Sequence, residues 1–464
     1  MIDHDHERLL AGWYGHLKPD RALDVAEENE DRAWYVDLDA WRGDDRNESP
    51  DRLRGPAAVD NILDAIRLAS HQASPASTHL FAGFRGTGKT TELSRLTREL
   101  QALGAPGFSV LRVSARDYHP LSGSISVEEI AVLLAAGIGE AALRTLGENA
   151  LPGLAKAGVW ERVHERIRQT LGDQAVTFKL GIAELKPALR RGNSLRDQLR
   201  AALGPRSDGK LREFLHDFVL EIATAIHPRQ LVVLVDDLDK YTVPTLDVAD
   251  VYQSMADLFF HNGGLLKLPS CHTVYTIPPY LAFLNQETAG VFDGQLHVLP
   301  SVKVQGRPPD RVLHEPGVAA LTELISQRVD LDRLFGSARD GCMARLVVAS
   351  GGNLRDLGNL MAMVIQVALG RSLPVAEATV DEALNRQGAV RTLLEDDLEI
   401  LLEISKFGHL GSLKKSRLGA FAGAMDQHLM LCCWNGDFWY DAHPLLASKL
   451  ERARADAKLG ATEG

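Results

Sequence analysis

The stretch FAGFRGTGKTTEL, residues 81 to 93, constrains this chain more than any other. Its spacing, Gly83-x-x-x-x-Gly88-Lys89-Thr90, is that of a loop that cradles phosphate. Glycines let the backbone turn its N–H groups toward phosphate oxygens, and the positive end of a following helix adds to the attraction. Lys89 would neutralise the β and γ phosphates, and Thr90 would offer its hydroxyl to Mg²⁺. The flanks agree: THLFA, residues 78 to 82, reads as a buried strand, and residues 90 to 103 read as a helix with apolar positions at 93, 96, 100 and 103. The residues expected to hold the nucleotide are Gly83, Arg85, Gly86, Thr87, Gly88, Lys89, Thr90 and Thr91.

Such a loop hydrolyses nothing alone, because the metal needs a carboxylate and the attacking water needs a base. RQLVVLVDDLDKY, residues 229 to 241, supplies a continuous apolar run that ends in Asp236 and Asp237. An unbroken apolar strand suits a parallel sheet covered on both faces, and ligands sit at the C-terminal ends of such strands. Asp236 is expected in the Mg²⁺ shell and Asp237 to polarise the attacking water. Asp239 and Lys240 read as a cap for the next helix.

With these two motifs the chain resembles P-loop ATPases of the AAA+/STAND kind. CHTVYTIPPYL, residues 271 to 281, resembles a sensor 1 strand, which implies that Thr276 contacts the γ-phosphate or the attacking water. ASGGNLRDLGNLM, residues 349 to 361, resembles the lid signature of the origin-recognition initiator clade and its bacterial relatives, with Arg355 as the γ-phosphate sensor. HLMLCCWNGDFWYDAHPLL, residues 428 to 446, resembles a wing hairpin. The resemblance implies an α/β fold: a P-loop NTPase with a parallel sheet flanked by helices, a helical lid and a C-terminal winged-helix domain. It also implies ATP and Mg²⁺ as cofactors, and roles in bacterial conflict systems such as antiphage defence. The chain departs from the pattern at the arginine finger, where Arg328 is the substitute.

A length of 464 residues calls for two or three domains, and 45% hydrophobic with 24% charged residues is ordinary for a globular chain. Residues 1–54, with Trp13, Trp34 and Trp41, read as an acidic N-terminal strap. Residues 55–310 read as the ATPase domain, 311–390 as the lid, 391–450 as the winged helix and 451–464 as a flexible tail. Lys89 and Asp236 are 147 residues apart, so a helical insertion is expected at about 147–212, with helices near 158–171 and 194–203 and an extended piece over 175–187. Asn435-Gly436 between two apolar runs signals a hairpin, with one of Cys432 and Cys433 facing a core and the other not.

A net charge of −11 argues against a protein wrapped uniformly in nucleic acid. The charge is uneven: residues 1–50 hold 14 acidic and 6 basic side chains, and residues 155–212 hold 13 basic and 6 acidic ones. Four scattered cysteines without CxxC spacing, no signal peptide and no apolar run long enough to span a bilayer point to the cytoplasm, away from membranes. These features favour an ATP-driven switch that self-associates or regulates a protein partner or effector. The alternative is a DNA-binding initiator or loader whose recognition helix, LKKSRLGAFAGAM, carries Lys414, Lys415 and Arg417.

Overall fold

The computed structural model describes residues 4–17, 19–39, 52–55, 57–72, 75–104, 107–119, 125–172, 179–191, 195, 197–198, 201, 207–240, 248–284, 290–292, 295–409 and 418–462. Trp41, most of residues 194–203 and the cations Arg196, Lys414, Lys415 and Arg417 lie outside them. The chain divides into two compact units: Ala58–Ala82 with Arg95–Val298, and Met1–Ala57 with Gly83–Ser94 and Leu299–Gly464.

The first of these is built on a five-stranded sheet in the order β2-β3-β4-β1-β5, with β1 Ser77–Gly83, β2 Phe108–Ser114, β3 Gln230–Asp236, β4 Cys271–Ile277 and β5 Leu296–Leu299. β1 runs parallel to β4, β4 to β3, and β3 to β2. β4 is buried along its whole length, and Leu231 to Val235 of β3 are buried too, as a sheet covered by helices on both faces requires. Helix Val127–Leu146 packs on β2, begins at a capping box between Ser126 and Glu129, and buries Ile130 through Gly139 without a break. Helix Ser207–Ala225 packs against it, and helix Val159–Leu171 against both.

Two expectations for the insertion change. Residues from 182 onward are not extended: Ile182–Arg191 is a helix. Pro187 removes one backbone donor from it, but Leu185, Ala188 and Leu189 recur at helical spacing and are buried, and this burial outweighs the loss. The insertion's positive charge is also partly answered locally, since Arg162 and Arg166 both reach Glu221, at 3.1 and 3.0 Å.

At the N-terminal ends of the strands a polar chain crosses the sheet. His297 faces His79 at 3.4 Å, His79 faces Ser77 Oγ at 2.8 Å, Ser77 Oγ faces His272 at 2.8 Å, and His272 faces Gln230 Oε1 at 3.0 Å. Gln230 Oε1 can only accept, so each link donates in one direction along the chain when all three imidazoles are neutral. Burial, with the neighbouring histidines, lowers the His79 pKa to about 3, and burial lowers that of His272 to about 4.

The second unit centres on helices Glu315–Ser326, Arg339–Ser350 and Leu354–Ala368, whose apolar faces enclose Leu321, Leu346, Leu357 and Met361. Leu10, Trp13 and Leu17 of helix His4–Leu17 complete this core, so the acidic strap packs on the lid helices. Helices Glu395–Phe407 and Leu418–Asp426 then lead to a hairpin of β6 Met430–Trp434 and β7 Phe438–Ala442, with Gly436 at φ +82° in the turn. Cys432 and Cys433 are both buried, against the expected alternation, because both faces of this short hairpin are covered. The expected flexible tail is instead helix Ala447–Thr462, rich in the strong helix formers Ala, Lys and Arg. No helix among the described residues is long and apolar enough to cross a membrane.

Candidate nucleotide-binding site

The chain passes from β1 directly into the glycine loop. Gly86 and Gly88 have φ of +83° and +98°, a region that disfavours side chains. A Cβ on Gly83 would meet the Leu299 carbonyl oxygen at 2.8 Å, and one on Gly86 would meet Asn353 Oδ1 at 2.4 Å. Lys89 is buried, and its ammonium donates to the carbonyls of Gly83 (2.6 Å) and Phe84 (3.0 Å), which places the charge within the turn of the loop. Thr87 Oγ1 donates to the Phe84 carbonyl at 2.9 Å. Thr90, half-buried, opens helix Lys89–Ala102. Thr91 turns to the strap instead, where its hydroxyl accepts the Leu23 N–H at 3.1 Å.

The lid holds this loop residue by residue. The Arg355 N–H donates to the Gly86 carbonyl at 3.2 Å, and Asn353 Nδ2 to the Arg85 carbonyl at 2.7 Å. The Arg85 side chain pairs with Asp426 at 3.1 Å, and the Arg355 guanidinium with Asp20 at 3.3 Å. Arg54, which sequence reasoning missed, is fully buried beneath the loop, donating to Thr87 O (3.1 Å) and pairing with Glu92 (2.9 Å). Nothing local marks it: its partners lie 33 and 38 residues away and follow no motif.

Asp236, Asp237 and Thr276 belong to the sheet unit. The parallel register pairs Phe81 of β1 with Thr276 of β4, and Val235 of β3 with Tyr275, so Thr276 and Asp236 end neighbouring strands. This is the end at which β1 delivers the chain to residue 83. Thr276 is fully buried and its hydroxyl has no hydrogen-bond partner among the described residues, an arrangement that costs stability unless a ligand or water answers it. Asp237 sits at φ +71°, a strained conformation for a residue with a side chain. Its carboxylate accepts from Ser114 Oγ at 2.6 Å and pairs with Lys240, which is therefore no mere helix cap.

Arg328, the expected substitute for an arginine finger, is turned into its own unit here. It is buried, donates to the carbonyls of Leu324 (2.6 Å) and Trp34 (2.9 Å), and burial lowers its pKa to about 10.

The loop's residues fit a polyphosphate: a buried ammonium, positive-φ glycines and a helix N-terminus in one turn. Thr90 carries a hydroxyl, a hard oxygen donor of the kind Mg²⁺ prefers.

No family model and no curated protein matches the chain. Among solved structures it is similar to the Aeropyrum pernix ORC2 protein in its ADPNP–ADP complexes, at 13% identity and a TM-score of 0.38, covering 94% of this chain and 99% of that one. It is similar also to Drosophila ORC bound to DNA, at 15% identity and a TM-score of 0.34, covering 90% and 81%. A third is Cdc6p from Pyrobaculum aerophilum, at 11% identity and a TM-score of 0.35, covering 92% and 99%.

Proposed function

We propose that the chain is an AAA+/STAND-type ATP-driven switch: it binds Mg·ATP on residues 83–90, hydrolyses it slowly, and passes the state of the loop to the lid and hairpin segment. One observation carries this reading. The lid helix is bonded to the loop backbone itself, through Arg355 N–H to Gly86 and Asn353 to Arg85. Phosphate binding that reorients the loop therefore acts on the lid without an intermediary, and two arrangements of that contact would differ in their affinity for ATP.

In this reading Lys89 neutralises the outer phosphates, Thr90 and Asp236 hold Mg²⁺, and Mg²⁺ when bound offsets charge on the transferring phosphoryl group. Asp237 orients the attacking water once Lys240 yields, Thr276 offers its hydroxyl to the γ-phosphate or that water, and Arg355 reads the γ-phosphate. The output is self-association or control of a protein effector, in a defence role of the kind the resemblance implies. Residues 391–450 act as a winged helix that docks protein. Four buried, unpaired cysteines suit a reducing cytoplasm.

Size-exclusion chromatography with light scattering of the Asp237→Asn protein tests the switch. An ATP-dependent change in mass or partner binding is expected. Tight, salt-sensitive binding of duplex DNA with no change in mass would favour the initiator-like reading instead.

A further inference from the structure

Behind the lid's contact with the loop lies a buried polar cluster. Asp356 Oδ2 accepts from His428 Nδ1 (3.1 Å), His443 Nε2 (2.8 Å) and Arg391 (2.9 Å), and Arg391 also donates to the His428 carbonyl (2.8 Å). One ligand atom from each of Asp356, His428 and His443 lies within 4.8 Å of the others, so by distance alone a cation could sit there. Hydrogen bonding argues otherwise. His443 Nδ1 accepts the Leu445 N–H at 3.2 Å, and His428 Nε2 faces Asn353 Nδ2 at 3.1 Å. Asn353 Oδ1 already accepts the Asp356 N–H at 3.2 Å, which fixes the amide so that Nδ2 is the group facing His428. Each imidazole then carries its proton on the nitrogen that faces Asp356, where a metal would need a lone pair.

The proton order runs outward to the loop. Asp356 orients His428, His428 accepts one N–H of Asn353, and the other N–H of Asn353 reaches the Arg85 carbonyl at 2.7 Å. His428 is held at φ +56°, a strained backbone that persists only where surroundings demand it. Its ring also lies 6.3 Å from that of Phe84 in the loop.

We infer that Asn353 is a positioning residue for the phosphate loop: its amide, aimed by the hydrogen-bonded pair Asp356–His428, holds the Arg85–Gly86 peptide in the shape that receives phosphate. This rests on the function proposed above, and it assigns Asn353 a task beyond capping the lid helix.

The two roles separate by substitution. Ser and Asp cap helices as well as Asn, so a pure capping role predicts that Asn353→Ser and Asn353→Asp behave like the parent. Neither can donate to the Arg85 carbonyl across the same distance: Ser is too short, and Asp has no N–H. Hydrogen–deuterium exchange of residues 84–88, measured without nucleotide, should rise about fivefold in both variants, because the amide's hydrogen bond to the loop is lost together with its bond to His428. The Kd for Mg·ATP should rise by a similar factor. Parent-like loop exchange in both variants overturns the inference, as would stoichiometric tightly bound metal that depends on His428 and His443. A parent protein that binds no Mg·ATP would refute the proposed function, while loop exchange would still decide the role of Asn353.

Discussion

Lys240 pairs with Asp237, three residues before it, while Ser114 Oγ donates to the other oxygen of the same carboxylate at 2.6 Å. An aspartate with both oxygens engaged is a restrained base. Lys240→Met should therefore raise steady-state ATP turnover, by about three- to tenfold, since general-base assistance is worth far more than that in full. Unchanged or lower turnover would mean that Lys240 supports the reaction instead of holding it back.

Asp237→Asn keeps the size of the side chain and removes the proposed base. ATP binding should persist and turnover fall by about a hundredfold. Retained turnover would move the role to another carboxylate, such as Asp239 two residues on.

Thr276→Val replaces a buried hydroxyl that has no partner among the described residues with a methyl of the same shape. Stability should hold or rise, because no hydrogen bond is broken. Turnover should nevertheless fall about tenfold or more if the hydroxyl serves the γ-phosphate or the water. Full activity in this variant would leave Thr276 as a strand filler.

Histidines buried in neutral form predict acid sensitivity. Burial, first among its causes, puts the folded-state pKa of His79 at about 3, and those of His272 and His443 at about 4, all below the ordinary value of 6.5. The unfolded chain binds protons first as pH falls, so stability is intact above pH 6.5 and drains away below it toward the folded values. Each of the three should cost about 1.4 kcal/mol at pH 5.5 relative to neutral pH. Urea unfolding at pH 7.5 and 5.5 measures the difference, which His272→Gln should reduce by about one histidine's share. A pH-independent midpoint in the parent would show that these rings are solvated.

Much of this architecture was readable because it repeats or keeps fixed spacing. Strands β2 to β4 are apolar runs, the loop is a spaced motif, and Asn435-Gly436 marks its hairpin. What escaped depends on pairing across long stretches of chain. Arg54 reaches Glu92, Arg85 reaches Asp426, and Asn353 reaches back to Arg85, and no periodicity records any of these. The alternation expected of Cys432 and Cys433 fails because it assumes one open face. Residues 452–462 were misread because a polar composition serves an exposed helix as well as an irregular tail. Lys240 was visible at the right spacing, but its partner depends on the left-handed turn at Asp237.

Residues 83–90 are proposed to hold a nucleotide. Calorimetric titration of Mg·ATP into the parent and Lys89→Ala proteins tests this most directly. The parent should take up one nucleotide per chain, and the variant should bind at least about tenfold more weakly, since a buried charge-assisted contact to phosphate is lost. Equal binding by the two proteins, or none by either, would contradict the account.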